Sequence, residues 1–394
     1  MSNTQYTTKQ QEFIDSVIDG KNIFLTGKAG TGKSFVVKAA IDVLNENNKK
    51  VISVAPTGIA ANNIDGQTIH SMFKLQPFGV LSFETCNFLS KASKEVLKNA
   101  NTIIIDEVSM LRPDILDAMH WTMKKSGLPG IDEKQIIFVG DLKQLPPILE
   151  DNTRSVLYQK YDGDTFEYAK VYKKINPELI ELDEILRQDN PDFIEALNVI
   201  REGGKHEYFK QFISKDAIGV ILAPHNTTVN QHTQNVLKTQ LEELYTFTAK
   251  LKGEAKPQDF NLENEINVKN GCKIMYLVNS KDNPLRNGTL GMFVTHKDCH
   301  FIRVGNVDYA LKQVEMTKKQ YVYNKETDTL ELKELGSITQ YPFKLAYALS
   351  IHKSQGLTFD ECTIDLRRPC FQKGQLYVAL SRVRKPEGLR IITN

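Results

Sequence analysis

The 394-residue sequence carries almost no net charge, with 50 Lys and Arg against 48 Asp and Glu, a formal +2. Whole-chain charge therefore leaves no footprint of a polyanionic partner, and any basic surface has to be a local groove. Cysteine is scarce. The five (Cys86, Cys272, Cys299, Cys362 and Cys370) are odd in number and scattered, which fits reduced thiols and excludes a disulfide framework. The stretch T-H-K-D-C-H at 295–300 holds His296, Cys299 and His300, but it lacks a second half with ligand spacing and reads as a polar turn between strands. No run approaches the ~18 apolar residues of a membrane span. Residues 1–11 are polar and lack the apolar block of a secretory leader, so the expectation is an intracellular protein with no membrane partner. Repeats at solenoid periods and low-complexity segments are also missing.

What is present is an ordinary soluble composition, 41% hydrophobic and 25% charged, in a length that suggests two to three domains. The first third alternates strand and helix. Residues 22–26 (N-I-F-L-T) form a short apolar run ending in a glycine-rich turn, and 33–44 carries helical spacing through Phe35, Val36, Ala39, Ala40 and Val43. Residues 51–55, 102–105 and 135–139 are further β-rich runs, entering Pro56, Asp106 and Gly140-Asp141. Near-continuous apolar strands separated by helices predict a buried parallel sheet, and the carboxyl ends of such strands form the ligand site. A second αβ pattern begins near Leu179. From about Leu241 strand-like pieces with turn signals dominate, reading as a small antiparallel insertion, and αβ character returns at Phe343.

Gly27-Lys28-Ala29-Gly30-Thr31-Gly32-Lys33-Ser34 matches G-x-x-x-x-G-K-[ST], with a strand before it and a helix after it. The glycines let backbone N–H groups wrap phosphate oxygens, and the helix N-terminus adds its positive end. Lys33 is expected on the β- and γ-phosphates and Ser34 on Mg²⁺. Asp106, at a strand end, suits Mg²⁺ ligation, and Glu107 beside it is placed to polarise the attacking water. Residues 140–147 (G-D-L-K-Q-L-P-P) follow the next strand. Gln144 there can reach the γ-phosphate or the water, a plain turn being the other reading. ATP and Mg²⁺ are the expected cofactors.

The order of blocks along the chain resembles superfamily 1 helicases, specifically the PIF-type (petite integration frequency) family with its phage Dda and RecD-like relatives. Tyr6-Thr7-Thr8-Lys9-Gln10 is similar to the family's Q motif. Residues 55–61 (A-P-T-G-I-A-A) and 68–73 (T-I-H-S-M-F) resemble its strand-gripping blocks. Asp106-Glu107-Val108-Ser109-Met110 and 140–147 resemble D-E-[IV]-S-M and G-D-x-x-Q-L-P-P. Leu186-Arg187-Gln188 matches the block with a first arginine finger. Residues 270–291 resemble the family's G-x-x-V-M-x-x-x-N…N-G-x-x-G segment, 349–358 (L-S-I-H-K-S-Q-G-L-T) its T-I-H-K-S-Q-G-x-T block, and 375–382 (Q-L-Y-V-A-L-S-R) its Q-x-Y-V-A-L-S-R block. Ser350 replaces the usual Thr, Tyr347 stands where Trp is frequent, and 111–130 follows the PIF-type signature only loosely.

The resemblance implies an α/β fold of two RecA-like P-loop domains. The first spans 1–175 with a small wedge insertion at 73–89, the second 176–240 and 341–394, with a β-rich SH3-like insertion at 241–340. It implies that Gln10 reads adenine, that Arg187 and Arg382 act as fingers on the phosphates, and that Gly356 lies at the nucleotide. Pro56, Thr57, His70, Ser71, Asn226, His352, Lys353 and Ser354 are the candidates for the DNA strand, since hydroxyls, amides and backbone N–H groups fix a strand without reading its sequence. Phe73 and Phe78, in the proline-stiffened stretch F-K-L-Q-P-F-G, are candidates for the wedge, small-subdomain packing being the other reading. The implied activity is ATP-driven 5′ to 3′ translocation on single-stranded DNA and unwinding of duplex. The implied partners are single-stranded DNA, forked or tailed duplex, and other replication or repair proteins, met by a monomer. The rival readings are a translocase that does not unwind, a motor subunit for a nuclease or relaxase, and an unrelated P-loop kinase or GTPase.

Overall fold

A computed structural model describes residues 6–394 apart from 78, 150, 186–189, 240, 241, 261, 279, 281, 297 and 298. The chain divides into two compact units, Met1–Arg187 with Lys319–Leu335, and Gln188–Lys318 with Gly336–Asn394. No helix among the described residues is long and apolar enough to cross a membrane.

The first unit is built on a six-stranded sheet of β1 (Ile23–Gly27), β2 (Val51–Ala55), β3 (Gln67–Thr68), β4 (Thr102–Ile105), β5 (Gln135–Val139) and β6 (Glu178–Leu182). The order is β3-β2-β4-β5-β1-β6, and the pairings are parallel. The inner strands read as unbroken apolar runs because both faces are covered. Alternation along them feeds two cores. Phe24, Ile52, Val54, Ile103, Ile105 and Phe138 join one. Ile23, Leu25, Ile104, Ile137 and Val139 join the other. Helices α1 (Thr8–Ile18) and α2 (Lys33–Glu46) cover the second face through Phe13, Val17, Val36 and Leu44. Helices α3 (Gly58–Asn63) and α4 (Ile69–Phe73) follow β2 and β3, while α5 (Lys91–Asn99) and α6 (Pro113–Lys125) complete the first face.

Beyond the first sheet the chain forms β7 (Val220–Ala223), an antiparallel block and a return to parallel strands, all in the second unit but for the hairpin tip Lys319–Leu335. The block comprises β8 (Leu244–Thr248), β9 (Lys250–Gly253), β10 (Glu265–Lys269), β11 (Lys273–Tyr276), β12 (Leu290–His296), β13 (Cys299–Val304), β14 (Val307–Ala310), β15 (Val314–Asn324), β16 (Thr329–Gln340) and β17 (Phe343–Leu345). Its largest sheet has the order β14-β13-β12-β11-β17 and closes over Val268, Ile274, Phe293, Ile302 and Phe343. β18 (Ala348–Ser350), β19 (Cys362–Asp365) and β20 (Leu389–Ile392) join β7 in a parallel sheet of order β18-β7-β19-β20. Two parallel α/β sheets and a β-rich insertion are the architecture expected from the sequence.

Two segments stand elsewhere than the sequence reading put them. β6, assigned there to the second domain from residue 176, pairs with β1 along its length, from Ile23 opposite Glu178 to Gly27 opposite Leu182. It is an edge strand, so its pattern alternates: Ile180 and Leu182 are buried while Leu179 is exposed. The tip of the β15–β16 hairpin, Lys319–Leu335, groups with the first unit and not with the insertion at 241–340. Tyr321, Tyr323 and Leu330 pack against the first unit's core.

Candidate functional site

The glycine-rich loop leaves β1 where the chain must turn without side chains. Gly27 has φ of 151°, and a Cβ there would stand 2.7 Å from the Leu182 carbonyl oxygen. Gly32 caps α2 with a left-handed φ of 83°, a conformation only glycine adopts at little cost. Lys33 opens the helix, and its ammonium turns back to donate to Gly27 O at 2.6 Å and Lys28 O at 2.9 Å. Gly30, Thr31 and Ser34 complete the loop, with Ala29 and Thr31 buried beneath it. Gln10 is 2% exposed. Its Oε1 accepts from Thr7 N and its Nε2 donates to Thr31 O, which ties the start of α1 to the phosphate loop.

Asp106 and Glu107 follow β4, which stands two places from β1 in the sheet, with β5 between them. The Asp106 amide extends the ladder onto Val54 O, and Gly140 extends β5 onto Leu25 O. Strand ends β1, β4 and β5 thus bring the lysine, both acids and Gly140-Asp141 to one edge. Burial pushes the Asp106 carboxyl up to about 7, the Glu107 charge adds to this, and Lys33 opposes it. Glu107 takes a left-handed φ of 51°, a strained backbone held by its N–H donating to Asp106 Oδ1 at 2.8 Å. Such strain costs about 1–3 kcal/mol and persists where the surroundings enforce it. Gly140 has to be glycine, because a Cβ would meet Val108 Cγ2 at 2.9 Å. Asp141 and Gln144 are buried beside it, with the Gln144 amide donating to Asp141 O.

The strand-grip candidates of the first unit follow β2 and β3. Pro56 and Thr57 are half-buried, and Thr57 Oγ1 caps α3 by accepting from Ala60 N. Thr68 caps α4 in the same way, accepting from Ser71 N. Burial, with Arg112 nearby, lowers the His70 pKa, and Asp114 opposes the shift. Ser71 Oγ accepts from Gln67 Nε2 at 2.7 Å. Phe73 corrects the wedge reading. It is fully buried in the core with Ile69 and Met72, as their helical spacing on one face of α4 demands. Phe78 lies outside the described residues.

In the second unit, Asn226 is exposed at the start of the helix Asn226–Thr239. His352 Nε2 lies 3.0 Å from Gln372 Oε1, and burial lowers the pKa of its ring. Lys353 is exposed and Gly356 has φ of 79°. Ser354 is a correction: fully buried, its hydroxyl donates to Ile351 O, so it braces the turn and presents nothing outward. Arg382 is 2% exposed, its guanidinium donating to Val378 O, Leu357 O and Ser381 Oγ. Here it braces its own unit. Arg187 lies outside the described residues.

Sequence reasoning missed two groups. The loop after β19 places Phe371, 62% exposed, against the rings of His225 and His352, with Arg368 donating to Thr227 Oγ1. Its position just after a strand end was the available signal. The insertion before α5 exposes Phe88 and Phe83, both beside the Lys125 ammonium.

Comparison with known proteins adds the decisive observation. The PIF1-like helicase family model matches residues 4–218, over half of the chain. The chain belongs to the PIF1-like helicase family. The family's solved structures include a Bacteroides Pif1 in complex with ADP-AlF4, 32% identical, which superposes with a TM-score of 0.86 over 99% of this chain and 92% of that one. A Bacteroides Pif1 bound to single-stranded DNA, also 32% identical, gives a TM-score of 0.70 with the same coverage. Among curated relatives, the ATP-dependent DNA helicase Pif1 of Campylobacter jejuni is 29% identical over 96% of this chain and 90% of its own length.

Proposed function

We propose that this protein is an ATP-dependent DNA helicase that moves 5′ to 3′ along single-stranded DNA and opens the duplex ahead. The observation that carries the reading is the convergence of the phosphate loop, Asp106-Glu107 and Gly140-Asp141 at adjacent strand ends of a PIF1-like chain.

The residues fit ATP and Mg²⁺. Lys33 folds onto loop carbonyls from which it would exchange to phosphate oxygens. Asp106 is a buried acid whose pKa is raised by burial and the Glu107 charge against the pull of Lys33, a setting that a divalent cation completes. Ser34 and Asp106 would hold Mg²⁺ together with phosphate and water. Bound there, the cation would neutralise phosphate charge. Glu107 would orient and deprotonate the attacking water, and Gln144 would sense the γ-phosphate. Arg187, and Arg382 once it exchanges its carbonyl partners for phosphate, would stabilise the transferring group.

Thr57, His70 and Ser71 in one unit, and Asn226, His352 and Lys353 in the other, would hold the strand by its backbone. The domain plan accompanying this reading is two RecA-like domains, the second carrying an SH3-like insertion. The wedge role passes from Phe73 to the exposed Phe83 and Phe88. The test is ATP hydrolysis with and without single-stranded DNA, alongside unwinding of duplexes with a 5′ or a 3′ tail. DNA-stimulated hydrolysis with unwinding from the 5′ tail supports the reading. Stimulation without unwinding favours a translocase, and no stimulation overturns the substrate.

A further inference from the structure

We propose that Gln67 is a positioning residue through which the hairpin tip Lys319–Leu335 sets the direction of the Ser71 hydroxyl proton, and so the grip on the DNA strand. The inference rests on the reading of Ser71 as a strand contact.

Gln67 is 6% exposed at the start of β3. Its two amide ends face different partners. Oε1 accepts from the backbone N–H of Tyr321 at 3.3 Å, and Nε2 donates to Ser71 Oγ at 2.7 Å. A backbone N–H can only donate, so the amide oxygen has to face the hairpin and the NH₂ has to face Ser71. A serine hydroxyl has one proton and two lone pairs. With a lone pair engaged by Gln67, the hydroxyl keeps its proton for another acceptor, which in this reading is a phosphate oxygen of the strand. Without the Tyr321 N–H, the amide is released to flip. Ser71 then donates to Gln67 Oε1 and turns its proton away from the strand.

The hairpin tip is seated firmly enough to impose this choice. The Tyr321 hydroxyl accepts from Ser53 N at 3.1 Å, and its ring packs on the core under β2 and β3. Lys50 pairs with Asp328 and lies 5.5 Å from the Tyr323 ring centroid. The strands β15 and β16 that carry this tip run on covalently into the second unit. The DNA grip of the first unit is thereby conditional on a segment whose two ends the second unit holds.

The experiment is a double-mutant cycle on the affinity of the full-length chain for a fluorescent oligothymidine, without nucleotide. Ser71→Ala and Gln67→Met are each expected to raise Kd about five- to tenfold, and the double variant to be no worse than about either single, because both break one relay. Tyr321→Ala, which unseats the tip, is expected to behave as Gln67→Met does, raising the DNA concentration for half-stimulation of ATPase with less than about twofold change in turnover at saturation. Gln67→Glu, whose carboxylate accepts from both Tyr321 N and the Ser71 hydroxyl and so turns that proton inward, carries the test if Gln67→Met fails to fold and is expected to weaken binding likewise. If Ser71→Ala leaves Kd unchanged, the strand-contact reading itself falls. If Ser71→Ala weakens binding while Gln67→Met and Tyr321→Ala do not, or their effects multiply with that of Ser71→Ala, the relay is overturned.

Discussion

The Lys125 ammonium lies 5.8 Å from the ring centroid of Phe88 and donates to the Cys86 carbonyl at 2.8 Å. One cation from α6 thus holds both the backbone of the small insertion and an exposed aromatic ring on it. With Phe88 67% exposed and its mounting fixed, the ring can meet a terminal base pair by stacking. Phe88→Ala is expected to retain DNA-stimulated ATPase and lose unwinding per ATP several-fold, measured by strand displacement against phosphate release in one reaction. Equal coupling in variant and parent removes Phe88 from the wedge.

Glu107 is the residue whose loss separates binding from turnover. Glu107→Gln keeps the side-chain shape and removes the base. Steady-state ATPase should fall about 10²- to 10⁴-fold, while a fluorescent ATP analogue binds within a few-fold of the parent. A variant that still turns over at near-parent rate shifts the base elsewhere.

Asp114 is wholly buried and accepts from Leu81 N at 2.8 Å and from Arg112 Nε at 2.9 Å. It ties the insertion to α6. Removing one partner of a buried pair leaves the other charge uncompensated, at a cost of about 3–5 kcal/mol. Asp114→Ala should therefore lower the denaturant midpoint well beyond the effect of an exposed acid such as Glu84→Ala.

Lys344 is the buried base most exposed to pH. Its ammonium has no hydrogen-bond partner among the described residues, and burial, together with Lys353, lowers its pKa from 10.5 to about 8. Between those values the unfolded chain binds more protons than the folded one, so this group makes stability rise with pH across that window. Below about 8 its penalty is full. Lys344→Met should raise the melting temperature of the second unit by a few degrees at pH 7, with the gain shrinking toward pH 10. An unchanged melting temperature at pH 7 means the ammonium is solvated.

The parallel sheet of the first unit was legible because Ile103, Ile104 and Ile105, and Ile136 to Val139, are buried on both faces and so form unbroken apolar runs. The phosphate loop was legible because its chemistry lies in eight consecutive residues. Phe73 was misread although the signal was present: Thr68 caps a helix, and Ile69, Met72 and Phe73 share one face of it. β6 was misplaced because an edge strand alternates like a solvated one, and its partner lies far upstream. The buried braces at Gln10, Ser354 and Arg382 were not legible, since a motif names the residue and not the carbonyl it is bonded to. Nor was the docking of Tyr321 on Ser53, a hydrogen bond between residues 268 positions apart.

That separation has a consequence for synthesis. When a ribosome has released β1 through β6, the edge of the first sheet at β2 and β3 is still uncapped, and the surface that Tyr321, Tyr323 and Leu330 will cover is still wet. It stays so until more than a hundred further residues have emerged. The first unit is therefore finished late, by a piece that arrives from the far side of the reading frame. A truncated chain ending before the hairpin should be sticky and poorly folded even though every strand of its own sheet is present.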